Sequence, residues 1–219
     1  MIDNSQRLER KWVFKNISKE TLIQNLIGHK LLFRYHHEER YVNSIYFDNI
    51  YLKSAEDNLA GISDRKKIRL RWYGPNANQI KSPILEKKIK KNFQGFKELF
   101  IIKELKNLLL NEANLRLITN EVNNKFHSTN LIPVTLVCYK RSYFISHDNK
   151  VRATLDIDLK YKKLKNFIQN FYVRSNDIVL ELKYSTNLDS YLRNTIGGIT
   201  RISKNSKYIN SLEKNNFFI

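Results

Sequence analysis

The sequence contains a single cysteine, Cys138, among its 219 residues. A disulfide framework is therefore excluded, and a chain with so few thiols is typical of a reducing compartment. Cys138 lies in the strand-like run from Val134 to Phe144. We interpret it as a small buried residue rather than a catalytic nucleophile.

Glycine, proline and long apolar runs are also scarce, with six glycines and three prolines in the chain. The pair Gly197-Gly198 lacks the Lys-Ser/Thr that follows in a phosphate-binding loop, so this type of nucleotide site is excluded. No apolar run approaches the ~20 residues of a membrane span. The stretch from Met1 to Ser5 has no basic-then-apolar signal pattern. We therefore predict a soluble, cytoplasmic protein.

Positive charge is what the chain has in excess. It carries 39 Lys and Arg against 21 Asp and Glu, a formal net charge of +18. This excess predicts an anionic partner, which is nucleic acid, an acidic membrane surface or a phosphate-rich small molecule. Because no breaker-rich linker interrupts the chain, we predict a single domain over residues 1–219.

The stretch from Lys67 to Tyr73 shows how the charge is arranged. Basic and apolar residues alternate along it, which is the period of a β-strand with one charged and one apolar face. Four more predicted strands place charged residues on one face, two or four positions apart. The pairs in the five strands are Glu9 and Lys11, Arg69 and Arg71, Glu86 and Lys88, Arg152 and Asp156, and Glu181 and Lys183.

One such face alone would most often be the solvated side of an antiparallel sheet. Acids and bases at the centre of strand after strand instead favour charged faces that are turned inward. The predicted fold class is α+β, an antiparallel β-barrel or tunnel with a charged lumen that helices cover on the outside. Helices are predicted over residues 18–27, 97–110, 113–126, 188–196 and 203–213, and His36-His37 is predicted to lie in a loop.

The mixture of acids and bases narrows the class of ligand. Arg and Lys bind phosphate oxygens, whereas Glu86 and Glu181 would repel a bare phosphate unless a hard divalent cation bridges the two. The pattern therefore predicts Mg²⁺ or Mn²⁺ together with a nucleoside triphosphate or an inorganic polyphosphate. A nucleic-acid partner is not expected, because Trp12 and Trp72 fall on the apolar faces and not where bases would stack. Tyrosines on the polar faces keep that alternative open.

Eight short motifs follow one another in an order that resembles a known family. They are Arg7-x-Glu9-x-Lys11, Ser44-Ile-Tyr-Phe-Asp-Asn49, Lys67-Ile-Arg-Leu-Arg-Trp-Tyr73, Leu85-Glu-x-Lys88, Tyr139-x-Arg141-x-Tyr143, Val151-Arg-x-Thr-Leu-Asp156, Val179-Leu-Glu-x-Lys183 and Ser203-Lys-x-Ser-Lys-Tyr208. Together they resemble the catalytic domain of the vacuolar transporter chaperone (VTC) complex and its bacterial relatives. That domain belongs to the triphosphate tunnel metalloenzyme, or CYTH, superfamily.

The resemblance implies a polyphosphate polymerase that transfers the terminal phosphate of ATP to a growing inorganic polyphosphate chain, with Mn²⁺ or Mg²⁺. It implies ATP, polyphosphate and pyrophosphate as partners. The catalytic residues that it implies are Arg69, Arg71, Lys88, Arg141 and Glu181. The implied phosphate-binding residues are Lys11, Arg65, Arg69, Arg71, Lys88, Arg141, Arg152, Lys183, Lys204 and Lys207. The implied metal ligands are Glu181 and, in support, Glu86, while Glu9 and Lys183 complete the ion pairs.

Two features depart from the family pattern. Many relatives carry a basic residue where this chain has Asn58, and Arg65 is expected to compensate. The phosphate-sensing domain and membrane helices that accompany the eukaryotic enzyme are not in this sequence. We therefore expect a bacterial stand-alone domain, or one that works with separately encoded membrane partners. The charged residues leave two alternatives open, which are a tripolyphosphatase or nucleoside triphosphatase on the same fold, and a non-catalytic polyphosphate-binding module.

Overall fold

The computed structural model describes residues 7–91, 94–164, 171–196 and 202–217, which form eleven strands and five α-helices. The strands are β1 (Arg7–Phe14), β2 (Arg34–Asp48), β3 (Arg65–Tyr73), β4 (Gln79–Ile80), β5 (Ile84–Lys91), β6 (Gln94–Ile101), β7 (Leu108–Leu109), β8 (Ile132–Ile145), β9 (Arg152–Lys163), β10 (Val173–Ser175) and β11 (Ile178–Ser185). The helices are α1 (Lys19–Ile27), α2 (Lys53–Leu59), α3 (Glu112–Phe126), α4 (Asp189–Ile196) and α5 (Lys207–Lys214).

The chain divides into two compact units, each assembled from several segments. The first unit comprises Met1–Arg40, Lys140–Leu159 and Ser175–Asn205, and the second comprises Tyr41–Tyr139, Lys160–Arg174 and Ser206–Ile219. Strands β2, β8 and β9 each contribute residues to both units. The units are therefore not successive domains, and a single domain over residues 1–219 stays a prediction.

The first unit is built on the strand order β1-β11-β9-β8. Strand β11 pairs antiparallel with β1 on one side and with β9 on the other. Its apolar face forms a core with Trp12 of β1 and Leu155 of β9, and Leu22 and Leu26 of α1 are buried in the same core. Helix α1 begins as predicted, because Ser18 Oγ accepts a hydrogen bond from the N–H of Thr21 at 3.1 Å.

The second unit is built on the strand order β8-β2-β3-β5-β6. The pairs β2–β3, β3–β5 and β5–β6 are antiparallel. Leu70 and Trp72 of β3 have no exposed surface and share a core with Leu136 of β8 and Ile118 of α3. As the alternation predicts, the apolar face of β3 is buried under a helix.

Asp48, at the end of β2, fixes two helices of the second unit. Its carboxylate accepts hydrogen bonds from the backbone N–H groups of Ser54 at 3.0 Å and Ala55 at 3.1 Å, in the first turn of α2. The hydroxyl of Tyr208, on α5, donates to the same carboxylate at 2.7 Å. Burial, and then the Asp48 charge, raise the pKa of Tyr208, so this hydroxyl keeps its proton. The Asp of the Ser44–Asn49 motif is therefore structural.

Three predictions of local structure are wrong. The predicted helix over residues 97–110 is instead the end of β6, a 3₁₀ turn over Lys103–Leu105 and the strand β7. Strand β6 pairs with β5, so long-range pairing overrides the local apolar spacing. Helix α5 starts only at Lys207, after the N-cap Ser206, so Lys204 precedes the helix. His36-His37 lies within β2 and not in a loop. The predicted Gly197-Gly198 break lies outside the described residues.

The α+β class with an antiparallel sheet is confirmed. Each unit contributes an open run of strands, so closure into a tunnel with a charged lumen stays a prediction. Within the described ranges, every helix is too short or too polar to cross a lipid bilayer.

Glu39 of β2 is the centre of an ion-pair group that joins three elements of the first unit. Its carboxylate lies 2.6 Å from Lys19 Nζ of α1 and 2.5 Å from Lys140 Nζ of β8. Ser142 Oγ donates a hydrogen bond to it at 2.7 Å. Although partial burial opposes ionisation, these partners lower the pKa of Glu39 from 4.5 to about 2.

We predict that Glu39→Gln lowers the free energy of unfolding at pH 7 by about 1 kcal/mol, as is typical of a partly exposed, hydrogen-bonded ion pair. A carboxyl whose pKa is lowered by folding stabilises the protein above its unfolded pKa and loses that effect as the pH falls through its folded pKa. The difference between wild type and Glu39→Gln should therefore vanish between about pH 4.5 and about pH 2. Urea unfolding across this range measures it. A difference that is independent of pH would contradict the assignment, and exposed Glu213→Gln is the control.

Candidate functional site

The charged faces of the strands carry two separate groups of side chains, one in each unit. The arginine cluster, in the second unit, consists of Arg69, Arg71, Glu86 and Lys97. The lysine–glutamate ring, in the first unit, consists of Glu9, Lys11, Glu181 and Lys183.

The arginine cluster places three cations around one buried carboxylate. Arg69 and Glu86 are directly opposite each other on β3 and β5, and their side chains form an ion pair at 2.5 Å. Lys97 Nζ lies 3.0 Å from the other carboxylate oxygen, and Arg71 Nη1 lies 3.9 Å from it. Although burial opposes ionisation, Arg69, Arg71 and Lys97 lower the pKa of Glu86 to about 2. The carboxylate is therefore charged at neutral pH, and positive charge remains in excess.

Hydroxyl groups hold the two guanidinium groups in place. Arg71 donates to Ser44 Oγ at 3.2 Å and to Tyr139 Oη at 3.1 Å. Arg69 donates to Tyr46 Oη at 3.3 Å. Burial opposes ionisation of the Tyr46 phenol, but the charges of Arg69 and Arg71 lower its pKa. Because both arginines have fixed partners, their orientation is set before any ligand binds.

Further basic residues line the same face of β3 and β5. Lys67 is opposite Lys88, and Arg65 is opposite Lys90. Lys67 Nζ donates to Ser206 Oγ at 2.9 Å, just before α5, and Arg65 Nη1 donates to the carbonyl of Ile62 at 2.6 Å. Like charges in adjacent cross-strand positions repel, which makes this surface receptive to an anion.

The lysine–glutamate ring alternates in charge around four side chains. In the β1–β11 ladder, Glu9 is opposite Lys183 and Lys11 is opposite Glu181. Lys11 Nζ lies 2.8 Å from Glu9 and 3.7 Å from Glu181. Lys183 Nζ lies 2.7 Å from Glu181 and 3.9 Å from Glu9. Each lysine therefore contacts both carboxylates, and Glu181 is buried with 5% of its surface exposed.

Arg141 and Asp156 form a pair of their own in the first unit. Arg141 Nε lies 2.5 Å from Asp156 Oδ1, and Nη2 lies 2.7 Å from Oδ2. Asp156 has no exposed surface. This bidentate contact balances the charge of Arg141, so a phosphate at this arginine would have to share the guanidinium with Asp156.

The remaining predicted residues lie at more open positions. Arg152 is exposed, directly opposite Lys183 in the β9–β11 ladder. Lys204 is exposed ahead of α5, and Lys207 Nζ lies 4.6 Å from the centroid of the Tyr139 ring. Lys97 was not among the predicted site residues. The signal that would have found it is the hairpin register, which places Lys97 opposite Lys88.

A cavity of about 440 Å³ lies elsewhere in the first unit, and the predicted site residues are not among those that line it. Its walls include His36, His37 and Glu39, and Glu39 is engaged by two lysines. We therefore assign this carboxylate a structural role.

The donor sets fit a metal that arrives with phosphate. In the part of the chain that the structure describes, no group of three or more His, Cys, Asp or Glu side chains is placed to hold a metal ion. Glu86 and Glu181 are instead carboxylates surrounded by cations. Mg²⁺ is commonly held by one or two carboxylates, with water and substrate phosphates as the other ligands. Glu181, with Glu9 in the same ring, meets this requirement.

A known protein family matches nearly the whole chain. Residues 5–216 match the family model of the VTC domain. The chain belongs to the VTC domain family. No curated protein is significantly similar to it in sequence. The resemblance that the motifs indicated is therefore confirmed over nearly the whole chain.

One solved structure supports the fold assignment of this VTC-family chain. A Vibrio parahaemolyticus protein described as a candidate adenylate cyclase aligns with a TM-score of 0.53 and 15% identity, over 94% of this chain and 98% of that chain. At this identity the likeness shows a shared fold. The RNA triphosphatase Pct1 of S. pombe aligns with a TM-score of 0.30 and 11% identity, over 95% of this chain and 72% of that chain.

We predict that Arg69→Ala weakens the binding of inorganic tripolyphosphate by about thirtyfold, because a charge-assisted contact contributes ~2 kcal/mol. Arg71 and Lys97 still neutralise Glu86 in this variant, so it should remain folded. Isothermal titration calorimetry measures the affinity. The matched control is Arg116→Ala, which removes the same charge from a side chain that is 78% exposed on α3. Equal losses in the two variants would mean that only net charge matters.

Proposed function

We propose that this VTC-family protein is a polyphosphate polymerase that transfers the terminal phosphate of ATP to an inorganic polyphosphate chain, with Mn²⁺ or Mg²⁺. The observation that carries the proposal is the arginine cluster, in which three cations surround one buried carboxylate. An excess of positive charge that is partly removed from water is costly without an anion, and guanidinium groups match phosphate oxygens in geometry.

The proposal assigns phosphate binding to both groups of side chains. In the second unit, Arg69, Arg71 and Lys88 bind phosphate oxygens, supported by Arg65 and Lys207. In the first unit, Lys11 and Lys183 do so, supported by Arg141, Arg152 and Lys204. Lys97 joins the first set, because it lies 3.0 Å from Glu86 in the same cluster. In the unliganded protein the carboxylates balance the charge of these cations. When phosphate binds, it takes over part of that role.

A divalent metal, when bound, would supply positive charge that neutralises the negative charge developing on phosphate during transfer. Glu181 is the proposed carboxylate ligand, and Glu86 is the supporting one. The fit rests on the small number of carboxylates in each group, which leaves most coordination positions to phosphate and water.

The protein's own residues contribute mainly position and charge. Phosphoryl transfer needs little covalent help from a protein, and orientation of the reactants lowers the barrier substantially. The terminal phosphate of a polyphosphate acceptor is already an anion, so the protein need not supply a base to activate it. Arg69 and Arg71 are suited to this role because Tyr46, Ser44 and Tyr139 hold their side chains.

The cytoplasmic location and a separately encoded membrane partner stay predictions. So does the preference for polyphosphate over water as the acceptor. The cations of the Ser203–Tyr208 motif favour a long anionic product, which is why we place the polymerase before a hydrolase.

The test is to incubate the protein with ATP and Mn²⁺ and to separate the products by size on a gel. We expect a ladder of inorganic polyphosphate from the wild type. The Glu181→Ala variant should form no polyphosphate ladder, because a proposed metal ligand is lost. Its unfolding temperature should stay near that of the wild type. The control Glu213→Ala removes an exposed carboxylate of α5 and should form the ladder normally.

Other products would replace the proposal. Free phosphate without polymer would indicate the hydrolase, in which water is the acceptor. Binding of polyphosphate without any product would indicate a non-catalytic module. A ladder of wild-type intensity from Glu181→Ala would contradict the assignment of Glu181 as a metal ligand.

A further inference from the structure

Thr154 carries a hydroxyl that is buried within the charged face of the first unit. Its Oγ1 atom has no hydrogen-bond partner among the described residues. Thr154 lies on β9 directly opposite Glu181 of β11, and Glu181 is itself opposite Lys11 of β1. The three side chains therefore lie in one row on the same face of the sheet. A buried hydroxyl without a partner is unfavourable and calls for an explanation.

The neighbour of this hydroxyl is a carboxylate whose partners belong to the proposed phosphate site. Glu181 Oε1 lies 2.7 Å from Lys183 Nζ, and Oε2 lies 3.7 Å from Lys11 Nζ. Under the proposed function both ammonium groups contact phosphate. A phosphate chain carries more negative charge than one carboxylate, so it draws the two ammonium groups away from Glu181. When this buried carboxylate holds a metal, a hydrogen-bond donor beside it would fix its orientation, as is usual for carboxylates that bind metals.

We propose that Thr154 is the positioning residue that supplies this donor when phosphate and the metal are bound together. Its O–H donates to an oxygen of Glu181, which fixes the orientation of the carboxylate that would hold the metal. Directly opposite residues of an antiparallel pair have Cβ atoms about 5 Å apart, so a change of side-chain rotamer brings the two groups into contact. This inference rests on the proposed function, in particular on Glu181 as a metal ligand.

A purely structural role for Thr154 makes a different prediction. Threonine is a β-branched residue that favours strands, and valine has nearly the same shape. If the hydroxyl stabilised the unliganded fold, Thr154→Val would lower the unfolding temperature. If the hydroxyl has no partner until phosphate binds, Thr154→Val removes a buried unsatisfied group, and the unliganded protein is at least as stable as before.

The experiment measures the affinity for inorganic tripolyphosphate by calorimetry, once with Mn²⁺ and once with a chelator, and the unfolding temperature without ligand. We expect Thr154→Val to leave the metal-free affinity unchanged and to reduce the gain in affinity from Mn²⁺ by about tenfold, as for one hydrogen bond to a charged group. The unfolding temperature should not fall. Thr154→Ser should restore the gain, and Thr186→Val, at an exposed position of the same unit, should behave as wild type.

Each other outcome overturns the inference. A Thr154→Val variant that unfolds at a lower temperature and keeps the full Mn²⁺ gain shows a structural residue. If the wild type binds tripolyphosphate but gains nothing from Mn²⁺, the metal role of Glu181 fails while phosphate binding survives. If the wild type does not bind tripolyphosphate at all, the proposed function fails together with the inference.

Discussion

The charged face of the second unit depends on the ion pairs between Glu86 and the cations around it. Arg69 and Lys97 contact the carboxylate directly, and Arg71 lies 3.9 Å from it. Removing charged groups from water is expensive, so they are tolerated only when paired and hydrogen-bonded. Here one carboxylate cannot balance three cations. The protein thus holds a stable arrangement that becomes more favourable when an anion is added.

In the first unit the charges are balanced within the lysine–glutamate ring itself. The ring has two lysines and two glutamates, so the charges within it cancel, and the contacts run around the ring. Such a group can exchange partners at little cost, because each lysine already contacts two carboxylates. Arg141 contrasts with it, since both Nε and Nη2 contact the fully buried Asp156. We expect the ring to adapt to a ligand and the Arg141–Asp156 pair to stay fixed.

The alternation of residue types predicted the elements that place the site. Arg69 and Arg71 alternate with Leu70 and Trp72, and the structure buries the latter two in the core as that period requires. The capped helix after Ser18 was equally local in origin. The alternation within one segment does not predict which distant strands pair with each other. Lys97 was assigned to a helix, and only its pairing with β5 brings it to Glu86.

The start of α5 and the contacts of the Tyr46 and Tyr139 hydroxyls were also not predicted from the sequence. The helix begins at Lys207 and not at Ser203, because Ser206 serves as its N-cap. Tyr46 and Tyr139 lie on the polar faces of their strands, where tyrosines kept a nucleic-acid partner open. In the structure their hydroxyls accept hydrogen bonds from Arg69 and Arg71. Their role depends on which strands are neighbours, and this is a property of the fold and not of any one segment.

The central claim is that the arginine cluster binds triphosphate, and a crystal structure of the protein with inorganic tripolyphosphate and Mn²⁺ tests it most directly. The account predicts phosphate oxygens within about 3 Å of the guanidinium groups of Arg69 and Arg71. Their contacts to Tyr46 and Ser44 should persist. Tripolyphosphate bound only at exposed lysines, with the arginine cluster unchanged around Glu86, would contradict it.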